Sequence, residues 1–270
     1  MFRFAYGGAQ SHVGLVRQNN EDSGFAGPYL QLVADGVGGA AAGEVASATT
    51  AYVVSAMVAT RKTEDLVGLL AEAVQESYRQ LRLGVVQDPG RAGMATTLTA
   101  IAVDRDRFAL AHIGDSRAYL LRHGRLTQLT RDHTLVQALV DEGRLTREEV
   151  AAHPYRSMVV KSIDGEHVPE PDVCRLDLEP GDRLLLCSDG LTDLVGEDRI
   201  GELLCVTDAE VAGGDLVAAA LAAGGRDNVT CLVTDVEEGR QVCSDGRLLG
   251  ALRDPYLVVD PAAVHRGRTA

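Results

Sequence analysis

The chain has 270 residues, 46% of them hydrophobic and 24% charged, with 4% aromatics and no tryptophan. That length suits one large globular domain or two small ones, with a core built from Val, Leu, Ile and Ala. A formal charge of −13 repels phosphate backbones and anionic lipid, which argues against non-specific nucleic-acid or membrane binding.

Residues 11–17 and 29–35 read as short strands, the second ending LQLVADG. Residues 40–60 carry apolar positions at helical spacing, and a second helical pattern runs over 64–84. Strand-like runs follow at 95–103, 107–113 and 117–122, with Asp104-Arg105 and His123-Gly124 marking hairpin turns. Residues 131–168 are polar and irregular, with brief helical patterns at 134–141 and 146–152. Then come strand-like 183–187, helical 197–205 and 208–223, and strand-like 229–236. Strands and helices arriving in clusters predict antiparallel sheets covered by helices. After 236 the composition changes, and 237–270 reads as a loosely attached tail.

The opening MFRFAYGGAQ has neither the basic region nor the apolar run of a secretory signal, and no apolar stretch is long enough to span a bilayer. A cytoplasmic location is expected. Cys174, Cys187, Cys205, Cys231 and Cys243 lie far apart with no C-x-x-C pairing. They read as free, mostly buried thiols in a reducing compartment and argue against a zinc site or a cysteine nucleophile.

The acidic residues at strand ends carry the chemistry. Asp35 closes LQLVADG, Asp115 follows 107–113 in HIGDSR, Asp189 closes DRLLLCSDG, and Asp227 in GGRDNVT opens the last strand. Glu21 and Asp22 lie in NNED just before a strand-like run. One Asp-Gly after a strand is usually an ordinary turn. Four strand-terminal aspartates in one chain point to a metal site instead, because clustered carboxylates repel unless cations neutralise them. Oxygen-only ligation selects Mg²⁺, Mn²⁺ or Ca²⁺ over zinc or copper. Ser244-Asp245-Gly246 repeats the SDG wording without an apolar strand before it and reads as a turn.

The ordered set VRQNNED (16–22), ADGVGG (34–39), GMATTLTA (93–100), GDSRAYL (114–120), RDHTLVQALVDEG (131–143), SDGLTD (188–193) and GGRDNVT (224–230) resembles the type 2C metal-dependent serine/threonine protein phosphatases in their bacterial form. The resemblance covers about residues 7–236. It implies an α+β fold, a four-layer αββα sandwich whose central antiparallel β-sandwich is flanked by helices on both faces. It implies a catalytic domain over 1–236, a mobile flap at about 131–168, and a tail of unassigned role at 237–270.

The resemblance also implies hydrolysis of phosphoserine and phosphothreonine in proteins by metal-activated water, without a phosphoenzyme. Two catalytic Mn²⁺ or Mg²⁺ ions and a third are expected. Asp35 resembles the carboxylate bridging two ions, with Asp189 and Asp227 completing the first ion's protein ligands. The Gly36 carbonyl and Glu21 face the second ion. Asp115 with Asp189, and Ser157 as an oxygen donor, resemble the third site, while Asp22 and Asn228 brace the ligands. Arg17, four residues before Glu21, resembles the phosphate-gripping arginine, and its paired donors match two phosphate oxygens. Val37 stands where many eukaryotic members place a catalytic histidine, and His133 is near the flap only by sequence, so the general acid is unassigned. His112, with no partner pattern, reads as structural or exposed. The partners implied are phosphorylated proteins, either targets of serine/threonine kinases or the kinases themselves, met by a monomer that binds neither nucleic acid nor membrane. Two rivals are a degenerate phosphoprotein-binding module and a two-metal nuclease. Survival of Asp35, Asp189 and Asp227 argues against the first, and the missing basic groove against the second.

Overall fold

The computed structural model describes residues 1–37, 42–61, 63–150, 152–206, 208–240 and 246–262. In chain order, strands β1 (Phe2–His12), β2 (Ser23–Ala26), β3 (Leu30–Ala34) and β4 (Gly36–Val37) precede helices α1 (Gly43–Thr60) and α2 (Leu66–Gln87). Strands β5 (Ala95–Thr96), β6 (Leu98–Asp104), β7 (Arg107–Ile113), β8 (Arg117–Arg122) and β9 (Arg125–Gln128) follow. Short helices α3 (Leu135–Asp141) and α4 (Arg147–Val150) lead to β10 (Ile163–Asp164), β11 (Asp172–Leu176) and β12 (Arg183–Cys187). The last part holds α5 (Asp189–Thr192), α6 (Glu197–Leu204), α7 (Ala209–Ala222), β13 (Val229–Glu238) and β14 (Arg247–Gly250).

Two antiparallel sheets stack face to face. One is ordered β1-β13-β12-β8-β9, the other β11-β7-β6-β3-β2-β14, and a small sheet β10-β5-β4 lies beside them. Side chains alternate between faces along each strand, and here both faces are buried. On β6, Ile101 and Val103 point between the sheets while Leu98, Ala100 and Ala102 point to α1 and α2. On β12, Leu184 and Leu186 point inward while Leu185 and Cys187 meet α6 and α7. The strands therefore read as continuous apolar runs rather than alternating ones. The alanines of β6 and β7 keep the helix-facing surface low, which seats α1 and α2 without bulky aromatics. The result is the expected α+β sandwich of four layers, αββα.

Differences from the sequence reading have local causes. The first strand is β1, not 11–17: its first half is interrupted by a register shift between Ala5 and Gly8, which hides its period. Past residue 236 the chain is packed rather than loose within the described residues. Strand β14 extends the larger sheet beside β2, and Leu249, Ala251, Leu252 and Val258 are buried. Four strand residues are too short a pattern to stand out. Cys187 and Cys231 are buried as expected, but Cys174 and Cys205 are exposed, because Cys174 lies on the edge strand β11 and Cys205 at the end of α6. Cys243, Ser244 and Asp245, like Gly38 and Gly39 of the ADGVGG motif, lie outside the described residues. No helix among the described residues is long and apolar enough to cross a membrane.

Candidate metal centre and phosphate site

Antiparallel pairing brings the starts of β2, β6 and β13 and the ends of β3, β7 and β12 to one pole of the sandwich. A cleft of about 350 Å³ opens there. Its walls are Arg17, Glu21, Asp35, Gly36, Asp115, Ser157, Asp189, Asp227 and Asn228, together with Val37 and Val159. Of the site residues named from sequence, only Asp22 is absent from the lining, and it is fully buried. Its Oδ2 accepts hydrogen bonds from Ser188 Oγ and Thr230 Oγ1, both at 2.7 Å.

The strand ends are drawn together by specific contacts. A Cβ on Gly190 would overlap the Asn228 carbonyl, so only glycine lets the segments carrying Asp189 and Asp227 come this close. Asn228 braces the Glu21 loop. Its Oδ1 accepts from the Glu21 N–H at 2.7 Å, and its Nδ2 donates to the Val13 and Asn19 carbonyls, both at 2.9 Å. Ser47 on α1 donates to the Glu21 carbonyl at 2.5 Å. Thr97 Oγ1 accepts from the Asp35 N–H at 2.9 Å, while Thr96 Oγ1 donates to the Asp35 carbonyl at 2.9 Å. Thr96 and Thr97 fall within the strand-like run 95–103, and only the fold shows that their hydroxyls also hold the Asp35 backbone.

Gly114, the residue before Asp115, sits at φ 111° with an added Cβ 2.5 Å from Thr97 Cβ. Backbone strain and overpacking both oppose a side chain there. Gly114→Ala is expected to destabilise the fold by roughly 2–4 kcal/mol, read as a lower midpoint in urea unfolding.

The carboxylates crowd one another. Burial first, then Asp22, Asp189 and Asp115, hold Asp35 well above the usual carboxylate range. Burial, then Asp193 and Asp227, push Asp189 up to about 6, and it is hydrogen-bonded to Asp35. Burial, then Asp189 and Asp132, push Asp115 up to about 8. Burial pushes Asp22 up to about 7 against its two hydroxyl donors. The other Asp22 oxygen, Oδ1, is buried without a hydrogen-bond partner. Among the described residues no three His, Cys, Asp or Glu side chains close round one point as a preformed cage. Asp227 is instead turned to Arg17 Nη2 at 2.8 Å, and Asp35 and Asp189 to each other. What fits divalent cations here is the donor chemistry, an all-oxygen wall of mutually repelling carboxylates that positive charge would relieve.

Among the described residues Arg17 is the only cationic side chain lining the cleft, and about half of it is exposed at the mouth. No histidine lines the cleft among the described residues. His133 has both ring nitrogens engaged elsewhere, on Gly114 and Asp172. His112 is buried, bonded to Thr99 and to the Arg131 carbonyl, a role its sequence context did not signal. A second hollow of about 300 Å³ continues from Asp115, Ser157 and Asp189 toward Arg117, Asp132, Arg156 and Asp193. Asp193, in the SDGLTD motif, was not singled out from sequence although it faces the same hollow.

The family model described as Protein phosphatase 2C matches residues 8–223. The chain is 46% identical over 228 residues to serine/threonine protein phosphatase PstP of Mycobacterium tuberculosis, covering 84% of this chain and 44% of that protein. It thus spans less than half the length of that relative. The crystal structure of the Mycobacterium tuberculosis phosphatase PstP/Ppp superposes with a TM-score of 0.83 at 46% identity, covering 88% of this chain and 99% of that one. The catalytic domain of PstP in complex with two manganese ions superposes with a TM-score of 0.82 at 43% identity, covering 88% and 100%. The chain belongs to the protein phosphatase 2C family of metal-dependent serine/threonine protein phosphatases.

Proposed function

We propose that this chain hydrolyses phosphoserine and phosphothreonine in proteins, with water as the direct nucleophile. The observation that carries this reading is the convergence of Glu21, Asp35, Asp115, Asp189 and Asp227 in one cleft whose only cation among the described residues is Arg17. So acidic a cleft repels a phosphate dianion unless divalent cations enter with it. Asp35, Asp189 and Asp227 would hold one Mn²⁺ or Mg²⁺, and Asp35, the Gly36 carbonyl and Glu21 a second. Asp115, Asp189 and Ser157 would hold a third. Bound there, such ions supply positive charge that lowers the pKa of water toward neutrality and offsets the charge of the phosphate.

The chain's own groups do the rest. Arg17 is paired with Asp227 at 2.8 Å in the metal-free fold, and once Asp227 turns to an ion its guanidinium is free to present paired donors to two phosphate oxygens. Asn228, Thr96 and Thr97 fix the backbone under Glu21 and Asp35, so the donors need little rearrangement as substrate arrives. No cysteine or histidine lines the cleft among the described residues, and Ser157 is its only hydroxyl. A phosphoenzyme would have to form on Ser157 or on a carboxylate, and carboxylates that hold cations are poor nucleophiles. Residues 1–236 carry the catalysis in this reading, 131–168 act as the flap, and 237–270 have no assigned role. Its substrates would be targets of serine/threonine kinases or the kinases themselves, met by a monomer in the cytoplasm. Phosphate release from a phosphothreonine peptide tests the function: turnover should require Mn²⁺ and vanish in EDTA, and turnover indifferent to chelation would contradict it.

Stability should respond to the ions with a definite pH sign. The buried carboxyls have folded pKa values raised above those of the unfolded chain, so the metal-free fold binds more protons than the unfolded state between about pH 4 and 8. Metal-free stability therefore falls as pH rises through that window. Ion binding needs deprotonated ligands and strengthens over the same window. At a hundredfold excess over Kd one ion adds about 2.7 kcal/mol. The rise in melting temperature on adding Mn²⁺, by differential scanning fluorimetry, should be several degrees and larger at pH 8 than at pH 5.5.

A further inference from the structure

His133 stands at the neck of the polar segment 131–168 and is bonded in four directions. Its backbone N–H donates to the Gly114 carbonyl at 2.7 Å, and its carbonyl accepts from the Val160 N–H at 2.8 Å. Its ring Nδ1 accepts from the Gly114 N–H at 3.2 Å, and its Nε2 lies 3.2 Å from Asp172 Oδ2 on β11. An imidazole that accepts at Nδ1 carries its hydrogen on Nε2, which then donates to Asp172. The ring lies 4.9 Å from that of buried His112, whose Nε2 bonds the Arg131 carbonyl at 3.0 Å. Beside it, Thr134 pairs with Val159, and the Leu135 N–H donates to the Met158 carbonyl at 2.9 Å.

These bonds join two parts of the cleft wall that are distant in sequence. Gly114 carries Asp115 into the cleft, and the return of the segment through 157–160 carries Ser157 and Val159. The imidazole does not line the cleft, and its side chain is only 9% exposed. We propose that His133 is a positioning residue that locks the Asp115 loop and the returning arm of the flap into one arrangement: its carbonyl holds the arm, and its ring, in a fixed tautomer set between Gly114 and Asp172, holds the loop. The proposal rests on reading the cleft as a phosphatase site. It adds that the flap neck and the third-ion carboxylate move together or not at all, because one residue holds both, the arm by its carbonyl and the Asp115 loop by its N–H and its ring.

The lock predicts different outcomes for two similar substitutions. In His133→Asn the side-chain oxygen takes the place of Nδ1 and still accepts from Gly114, whereas His133→Gln reaches only the Nε2 position. Amide hydrogen exchange of the whole chain, followed at Gly114 and Asp115, is the first readout. Exchange in His133→Gln should quicken at least about tenfold, while His133→Asn stays within about threefold of wild type. The second readout is Mn²⁺-supported hydrolysis of p-nitrophenyl phosphate. In His133→Gln, kcat should fall about tenfold with KM changed less than about threefold, since the residue touches no substrate.

Equal exchange in wild type and both variants would overturn the lock, and so would equal acceleration in both, which marks a merely structural role. If neither variant folds, Asp172→Ala decides: Asp172 is largely exposed on an edge strand, and without it nothing pins the ring hydrogen to Nε2 and leaves Nδ1 to accept, whereas an Asn amide has no tautomer to pin. Faster Gly114 exchange in it supports the lock, and wild-type exchange overturns it. A wild-type chain that shows the exchange contrast but no turnover supports the lock and overturns the proposed function instead.

Discussion

Asp35→Asn is expected to lower kcat by about a thousandfold or more while leaving the metal-free protein as stable as wild type, or more so. A thousandfold corresponds to about 4 kcal/mol of transition-state stabilisation, which is the scale divalent cations supply at a phosphoryl centre. Asn has nearly the shape of Asp but cannot provide the charge that holds a cation between two sites. The stability side has the opposite sign from most active-site changes in a buried network. Asp35 is held well above its ordinary pKa by burial and by Asp22, Asp189 and Asp115, so its charged form is disfavoured in the metal-free fold relative to the unfolded chain. A neutral amide removes that cost. The check is paired: steady-state turnover with Mn²⁺, and thermal melting in EDTA. Loss of activity together with loss of metal-free stability would mean that Asp35 is a structural residue and that its charge is not the point.

Arg17→Ala is expected to lower kcat/KM for a phosphopeptide about a hundredfold, the size of a lost charge-assisted bond to a dianion, at roughly 2–3 kcal/mol. Arg17→Lys should recover only part of this, because an ammonium keeps the charge without the paired donors. Neither change should move the melting temperature much. Arg17 and Asp227 are 49% and 38% exposed, and an ion pair that open to solvent contributes little to folding. Steady-state kinetics with Mn²⁺ in excess measures the first claim and circular-dichroism melting the second. A pure kcat loss with unchanged KM would point to a role confined to the transition state rather than a grip on the bound phosphate.

How much of this was legible before the structure depends on where each signal lies. Strands β7 and β12 stand out because both of their faces are buried and polar turns bound them. The left-handed residues Arg105, His123 and Gly124 sit at the hairpin turns the dipeptides marked. By contrast β11 is an exposed edge strand, with alternate positions open to solvent, and β14 has four residues, so neither carries an apolar run. In the cleft, the carboxylates were readable because each adjoins an apolar strand. The groups that hold them were not. Ser47 reaches Glu21 across 26 positions, Thr97 reaches Asp35 across 62, and His133 reaches Gly114 across 19. Such pairs leave no periodic trace in a single sequence, since they arise only when strands from different parts of the chain end at the same pole.

Crystals grown in manganese chloride and measured at the manganese absorption edge test the central claim most directly. Two strong anomalous peaks should lie in the cleft, one among Asp35, Asp189 and Asp227 and one between Asp35, the Gly36 carbonyl and Glu21, with Asp227 swung from Arg17. Peaks elsewhere on the surface, with Asp35 and Asp189 still bonded to each other and Asp227 still on Arg17, would contradict the account.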